Sequence, residues 1–248
     1  MQAELAAQWG IPNATVLYDR PAKWFVPTPS KIRSELLRRV CRDVGFPLDS
    51  IDYPAIIVCS TSWTADEDLS ILLDAARLCD ETIRCHVDEP GNTSFPHLLI
   101  LITGRGPLRD QFERKMHGLS FRKIHLRTLW LTPEDYPLLL GSADLGLSCH
   151  RSSSGVDLPM KIADLFGAGV PVAALDYGPC ITEQVRDGEN GLLFADATEL
   201  ADQLYDLFKR FPDETPILDR LRDNVAHLRS VSWFDGWKAE AAAILTAR

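Results

Sequence analysis

Ser152-Ser153-Ser154-Gly155-Val156-Asp157-Leu158-Pro159-Met160-Lys161-Ile162-Ala163-Asp164-Leu165-Phe166-Gly167-Ala168-Gly169-Val170-Pro171-Val172 holds a hydroxyl-rich loop, a helix start, a lysine, two carboxylates and a turn that delivers an apolar strand. Small hydroxyl residues and Gly155 leave backbone N–H groups free to face an anion. Pro159 suits the first turn of a helix, whose N-terminal end attracts negative charge. Lys161 adds a point charge beside that end. Asp164, one turn further on, is placed to take two ribose hydroxyls, so the segment suits a nucleotide sugar. The plainer reading is an ordinary loop, with Asp157 as a helix cap and Lys161 and Asp164 as a surface ion pair.

Outward from this segment, apolar runs alternate with helical patterns. Strands are expected at Ala55–Cys59, His97–Thr103, Ile124–Leu131, Ala143–Cys149 and Val170–Leu175, with a short one inside Gly188–Phe194. Between them, a helix starts near Asp66 and carries Leu69, Leu72, Leu73 and Ala76. Others run from Leu108 to His117, from the Thr132-Pro133 start to Leu140, and from Thr198 through Leu200, Leu204, Leu207 and Phe208. Such alternation predicts an α/β fold, a Rossmann-like parallel sheet with helices on both faces. Residues 1–53 read as a lead-in: a Pro- and aromatic-rich linker with a short strand at Thr15–Tyr18, then a helix capped by Ser30, then a loop over 41–53. Residues 54–230 form the main domain. Residues 231–248 form a terminal helix, after a break near Ser232-Trp233.

Ligands in open parallel sheets bind at the carboxyl ends of strands. Three segments fall there: Ser60-Thr61-Ser62, Gly104-Arg105-Gly106-Pro107 and Ser152–Gly155. The Ser62 hydroxyl suits phosphate, although Thr64 and Glu67 also match a capping box. Asp66-Glu67-Asp68 is assigned to helix stability. Gly104 and Gly106 bring backbone close to a phosphate or form a plain turn. Glu183, after Gly178-Pro179-Cys180, is placed to meet a sugar ring. His150 contacts an anion or a sugar hydroxyl, or is merely packed. The candidate binding set is Ser62, Gly104, Gly106, Ser153, Ser154, Gly155, Asp157, Lys161, Asp164 and Glu183, with no catalytic group assigned. The sequence shows no Ser/His/Asp triad, P-loop, DxD pair or metal-ligand cluster.

A net charge of −9 argues against a nucleic-acid partner. The six cysteines have no CxxC or zinc spacing and read as free thiols of a reducing compartment. The longest apolar run, Leu98–Ile102, is far short of the roughly 20 residues that span a bilayer. Met1-Gln2-Ala3-Glu4-Leu5 does not open a signal or transit peptide. The expectation is a soluble, cytosol-facing chain.

Several motifs resemble one glycosyltransferase family. They are Ser60-Thr61-Ser62-Trp63-Thr64-x-Asp66-Glu67-Asp68, Thr103-Gly104-x-Gly106-Pro107-Leu108, Asp135-Tyr136-Pro137-Leu138-Leu139-Leu140-Gly141-Ser142-Ala143-Asp144-Leu145-Gly146, Ser152 through Lys161, and Glu189-Asn190-Gly191-Leu192-Leu193-Phe194. Together they are similar to the chitobiosyldiphosphodolichol beta-mannosyltransferases over nearly the whole chain. The resemblance implies a GT-B enzyme of two Rossmann-like domains. Such an enzyme moves mannose from GDP-mannose to dolichol-diphosphate-linked chitobiose, inverting the anomeric centre, on the cytosolic face of the endoplasmic reticulum. It needs no metal or cofactor.

On that pattern residues 54–230 are the carboxyl-terminal, donor-binding domain. Asp164 is the ribose-binding acid, the Ser152–Gly155 loop and Lys161 face the diphosphate, and Asp157 lies near the mannose. The retaining GT-B pattern puts eight residues between its paired acids' positions, whereas Asp157 and Asp164 are seven apart. The resemblance also implies that the chain begins at the inter-domain linker. The membrane anchor and the acceptor domain, where an inverting base is expected, would then be missing from it, and the implied partners are that missing amino-terminal domain or other dolichol-pathway mannosyltransferases. The alternatives are a stand-alone nucleotide-sugar-binding module without transferase activity and, further off, a GT-B epimerase.

Overall fold

The structure, a computed structural model, describes residues 2–48, 51, 54–86, 95–152, 154–229 and 231–246. Among the described residues six strands form one sheet: β1 (Ala55–Ser60), β2 (Leu98–Thr103), β3 (Ile124–Leu129), β4 (Leu145–Ser148), β5 (Val172–Leu175) and β6 (Gly191–Phe194). Their order is β3-β2-β1-β4-β5-β6, and every neighbouring pair is parallel. β1 and β2 are buried along their full length, which explains their unbroken apolar sequences. β3, at the sheet edge, alternates instead, with Ile124 and Leu126 buried and His125 and Arg127 partly open. The order reverses between β1 and β4, so the crevice at the sheet's carboxyl edge opens there.

The helices are α1 (Gln2–Trp9), α2 (Ser30–Asp43), α3 (Ser70–His86), α4 (Arg109–His117), α5 (Asp135–Leu140), α6 (Met160–Gly167), α7 (Ala197–Phe208), α8 (Pro216–Leu228), α9 (Trp233–Trp237) and α10 (Ala243–Thr246). Strand alternation splits the core in two. Ile57, Leu98, Ile100 and Ile102 pack with Leu72, Ala76, Leu204 and Phe208 of α3 and α7. Ile56, Val58, Leu99 and Leu101 pack with Val40, Leu139, Ile162 and Leu165 of α2, α5 and α6. The expected sheet covered on both faces is therefore present.

Asp144 locks the lead-in helix to this core. Its buried carboxylate accepts from the Ile56 N–H at 2.9 Å and pairs with Arg33 of α2 at 3.3 Å and Arg222 of α8 at 2.8 Å. Burial pushes its carboxyl up, against the opposing pull of Arg33.

Several local expectations need correction. Thr15–Tyr18 forms no strand, and the unforeseen α1 occupies the amino-terminal end. α2 starts at Ser30, but Pro29 takes the cap position and no side chain caps the helix. α3 starts at Ser70 rather than near Asp66, because the Asp68 carboxylate accepts from the Ser70 N–H at 3.2 Å while Glu67 is drawn elsewhere. Asp196, not Thr198, caps α7, accepting from the N–H groups of Thr198 and Glu199. The tail does break as expected, and Ser232 with Asp235 forms a capping box at the start of α9. Most of the polar loop expected over 86–96 lies outside the described residues, as do parts of the 41–53 loop.

Candidate functional site

β1 delivers the Ser60–Trp63 turn to the crevice, and β4 delivers His150 and the serine loop that leads into α6. A buried carboxylate joins the two sides. Glu67 Oε2 accepts from the Ser62 N–H at 2.6 Å and from the Thr61 hydroxyl, while Oε1 holds the Lys161 ammonium. The Glu67 backbone also bridges to His150 in antiparallel fashion. Lys161 thus sits at the N-terminal turn of α6, where among the described residues no side chain caps the helix. Burial draws the ammonium's pKa down. The surface ion pair of Lys161 with Asp164, the plainer reading of the two, does not form, because Glu67 takes the lysine.

The serine loop is organised around Asp157. His150 Nε2 lies 2.7 Å from its Oδ2, and the hydroxyls of Ser152 and Ser154 donate to its Oδ1. Burial raises the carboxyl, but the hydrogen bonds from Ser152 and His150 outweigh it and hold the group below its ordinary range. Asp157 is therefore a loop anchor and not the cap of α6. Gly155, at φ +74°, donates its N–H to the Ser152 hydroxyl at 2.7 Å, and Val156 donates to Ser154 at 3.3 Å. The Gly155 amide, expected to be free, is thus turned inward. Ser153 lies outside the described residues.

Asp164 makes no side-chain hydrogen bond or ion pair among the described residues. Burial first, and then the nearby Asp19 carboxylate, push its pKa up to about 6. A half-buried carboxyl without a partner, one turn beyond Lys161, is chemically suited to accept from two hydroxyls.

Gly104 and Gly106 are small for a steric reason. A Cβ at Gly104 would lie 1.7 Å from the Thr61 carbonyl oxygen, and one at Gly106 would lie 1.8 Å from that of Ser62. The two turns interlock, and Leu108 donates its N–H to the Trp63 carbonyl at 3.0 Å.

Beyond them opens a cavity of about 270 Å³, walled by Ser60, Gly104, Trp130, Thr132 and Tyr136 with Lys161 at its edge. Arg105 stacks on Trp130, its guanidinium carbon 4.0 Å from the ring centroid. The Tyr136 hydroxyl donates to Ser60 Oγ at 3.1 Å, and burial pushes its pKa up to about 12.

Ser62, Gly104, Gly106, Ser154, Gly155, Asp157 and Lys161 thus share one rim. Glu183 belongs elsewhere: it accepts from the Tyr18 hydroxyl at 2.8 Å. It lines a separate cavity with Arg20, Met160 and Arg229. Glu67, Trp130 and Tyr136 were absent from the expected set. The last two follow the carboxyl end of β3, where the strand-end rule already pointed, but Thr132-Pro133 drew that stretch towards a plain helix start. Among the described residues no cluster suits a metal ion, and no helix is long and apolar enough to cross a membrane.

The model of the family described as glycosyl transferases group 1 matches residues 55–210. An Arabidopsis thaliana protein, UDP-glycosyltransferase TURAN, is 41% identical over 99% of this chain and 60% of its own length. The chitobiosyldiphosphodolichol beta-mannosyltransferase of Homo sapiens is 40% identical over 96% of this chain and 55% of its own. The resemblance carried by the motifs is met, and the chain spans 55–60% of the length of these relatives. Among solved structures, HepE of Anabaena in complex with UDP and glucose superposes at a TM-score of 0.64 and 18% identity, over 94% of this chain and 56% of that one. The C-terminal domain of LpcC, a glycosyl transferase group 1 family protein of Francisella tularensis, gives 0.53 and 16%, over 84% of this chain and 95% of that one. The likeness is one of fold, the Rossmann-like half of GT-B glycosyltransferases.

Proposed function

The chain belongs to the glycosyl transferases group 1 family, and from that premise we propose that it is the donor-binding part of a mannosyltransferase using GDP-mannose. One observation carries the reading: the Lys161 ammonium, the uncapped start of α6 and the serine turn of β1 meet where the strand order reverses. This is an anion site at the switch point of a parallel sheet. Asp164 accepts the ribose hydroxyls, and the cavity beside Trp130 takes the base. Asp157, Ser152 and Ser154 lie towards the sugar. Residues 54–230 are the donor domain, with 1–53 as its lead-in and 231–248 as the terminal helix.

The acceptor is dolichol-diphosphate-linked chitobiose, by the names of the relatives. The setting is the cytosolic face of the endoplasmic reticulum. In the reaction, the acceptor hydroxyl attacks the anomeric carbon from the face opposite the diphosphate and the configuration inverts. A base beyond this site takes the hydroxyl proton. Lys161 and the α6 N–H groups stabilise the charge that grows on the departing GDP, which is electrostatic support aimed at the transition state.

Calorimetric titration of the chain with GDP-mannose, GDP and UDP-glucose tests the reading. Selective binding of the guanine ligands supports it. Preference for the uridine ligand would instead follow the Arabidopsis relative's name and overturn the donor assignment. Guanine binding with no mannosyl transfer to a chitobiosyl lipid, even when the purified chain is joined by other pathway mannosyltransferases, would favour the stand-alone module.

A further inference from the structure

A carboxylate beside a diphosphate site is unfavourable unless it has another task. The Glu67 side chain is 3% exposed, and its oxygens reach three groups from two separate segments. Oε2 accepts from the Ser62 N–H at 2.6 Å and from the Thr61 hydroxyl, both in the turn after β1. Oε1 accepts from Lys161, which arrives from α6 across the crevice. The Glu67 backbone pairs with His150, at the head of the serine loop. One residue therefore joins the turn after β1, the start of α6 and the head of the serine loop.

We propose that Glu67 is a positioning residue of the donor site: it fixes the Lys161 ammonium and the Thr61–Ser62 turn in the geometry that receives the diphosphate. The inference rests on the donor-site reading above.

Lysine is a flexible stem ending in a strongly hydrated charge, and holding it at a phosphate costs rotamer entropy. Pairing with a buried carboxylate meets that cost in advance. An ammonium has three donors, so one spent on Glu67 leaves two for phosphate oxygens. The negative charge of Glu67 is compensated at short range by the same lysine. The net field at the crevice is then set by the α6 amides and the geometry of Lys161.

The test is displacement of a fluorescent guanine nucleotide, N-methylanthraniloyl-GDP, by GDP and by guanosine. It is run on the full chain, E67Q, K161M and the double variant E67Q/K161M. K161M and E67Q are each expected to lower the ratio of GDP to guanosine affinity by about tenfold, the weight of one charge-assisted hydrogen bond. The double variant is expected to lose no more than K161M alone, because Glu67 acts through Lys161. A merely structural role would weaken guanosine and GDP together and leave the ratio intact.

An unchanged ratio in E67Q, or additive losses in the double variant, overturns the proposal while the donor site stands. If E67Q does not fold, E67D, which keeps the charge but shortens the arm that holds Lys161, is expected to lower the ratio in the same direction, and an unchanged ratio in it overturns the proposal. If the unaltered chain binds no guanine nucleotide at all, the donor-site reading falls and this inference falls with it.

Discussion

His150 Nε2 lies 2.7 Å from Asp157 Oδ2, so a residue just beyond β4 grips the serine loop. The same ring reaches Asp66 through Nδ1 at 3.4 Å and sets its edge against Tyr177. The Tyr177 hydroxyl in turn donates to the Asp157 carbonyl at 2.8 Å. The loop that faces the sugar is thus anchored from β4 and β5 at once. Because the Asp157 carboxyl is depressed in the fold, its stabilising share is present above the unfolded pKa of about 4 and is lost only as the pH falls below that. His150→Ala is expected to loosen the loop without unfolding the protein, since the Asp157 partner is open to solvent and such pairs are worth about 1 kcal/mol or less. Hydrogen exchange should rise in the Arg151–Val156 segment and stay constant in β1 and β2. Unchanged exchange in the loop would remove the anchoring role.

Asp164 stores a cost in the unliganded fold. Its carboxyl titrates at about 6, against an ordinary value of 3.8, because of burial and then Asp19. A raised acid pKa means that the ionised form opposes folding. That cost is complete above pH 6, shrinks as the pH falls from 6 towards 4, and is gone below. Asp164→Asn is therefore expected to stabilise the free protein at pH 7.5 by about 1–2 kcal/mol after allowance for partial solvation. This corresponds to a rise of roughly 2–8 °C in Tm for a chain of this size. The gain should vanish near pH 4. The same change should weaken GDP by about 1–3 kcal/mol, since a ribose hydroxyl loses its charged acceptor. A pH-independent gain would mean that the Asp164 carboxyl is not raised in the free protein, and unchanged GDP affinity would remove Asp164 from the ribose role.

The glycine pair separates two explanations cleanly. If Gly106 served only the approach of a phosphate, Gly106→Ala would leave the stability of the free protein unchanged. The structure places the added Cβ 1.8 Å from the Ser62 carbonyl oxygen and 2.8 Å from the Trp63 Cβ. The turn would have to part. A loss of about 2–4 kcal/mol in urea unfolding without ligand is expected, in the range of overpacked or strained sites. Stability equal to the parent chain would return Gly106 to a ligand-only role.

Particular residues show how much of this could be read beforehand. β1 and β2 announce themselves because strands buried on both faces must be continuously apolar. The switch-point rule then sends Ser62, Lys161 and the serine loop to one crevice. Glu67 was hidden by its own local signal: three residues after Thr64 it matches a capping box, and only tertiary contact draws its side chain to Lys161. Glu183 misled for the opposite reason. A strand end near the site suggested sugar contact, but the chain preceding α2 folds back and Tyr18 takes the carboxylate. α1 was missed because the prolines and aromatics that follow it dominate the composition of the first 29 residues.

Trp130 is half exposed at the mouth of the cavity beside β3, with Arg105 stacked on its ring. An open aromatic surface of this kind offers stacking to a base, and stacking is tolerant of base identity because every base has a π face. Trp130→Ala is therefore expected to weaken GDP and UDP alike, by about 1 kcal/mol or roughly fivefold, the low end for such contacts given the ring's exposure. The GDP:UDP ratio should not move. Discrimination between the bases must come from directional groups on the cavity wall, where Thr132 and the Ser60–Tyr136 hydroxyl pair stand. Competition titrations of both nucleotides against the parent chain and the variant check the point. A loss confined to GDP would make Trp130 a selectivity residue, and no loss at all would place the base elsewhere.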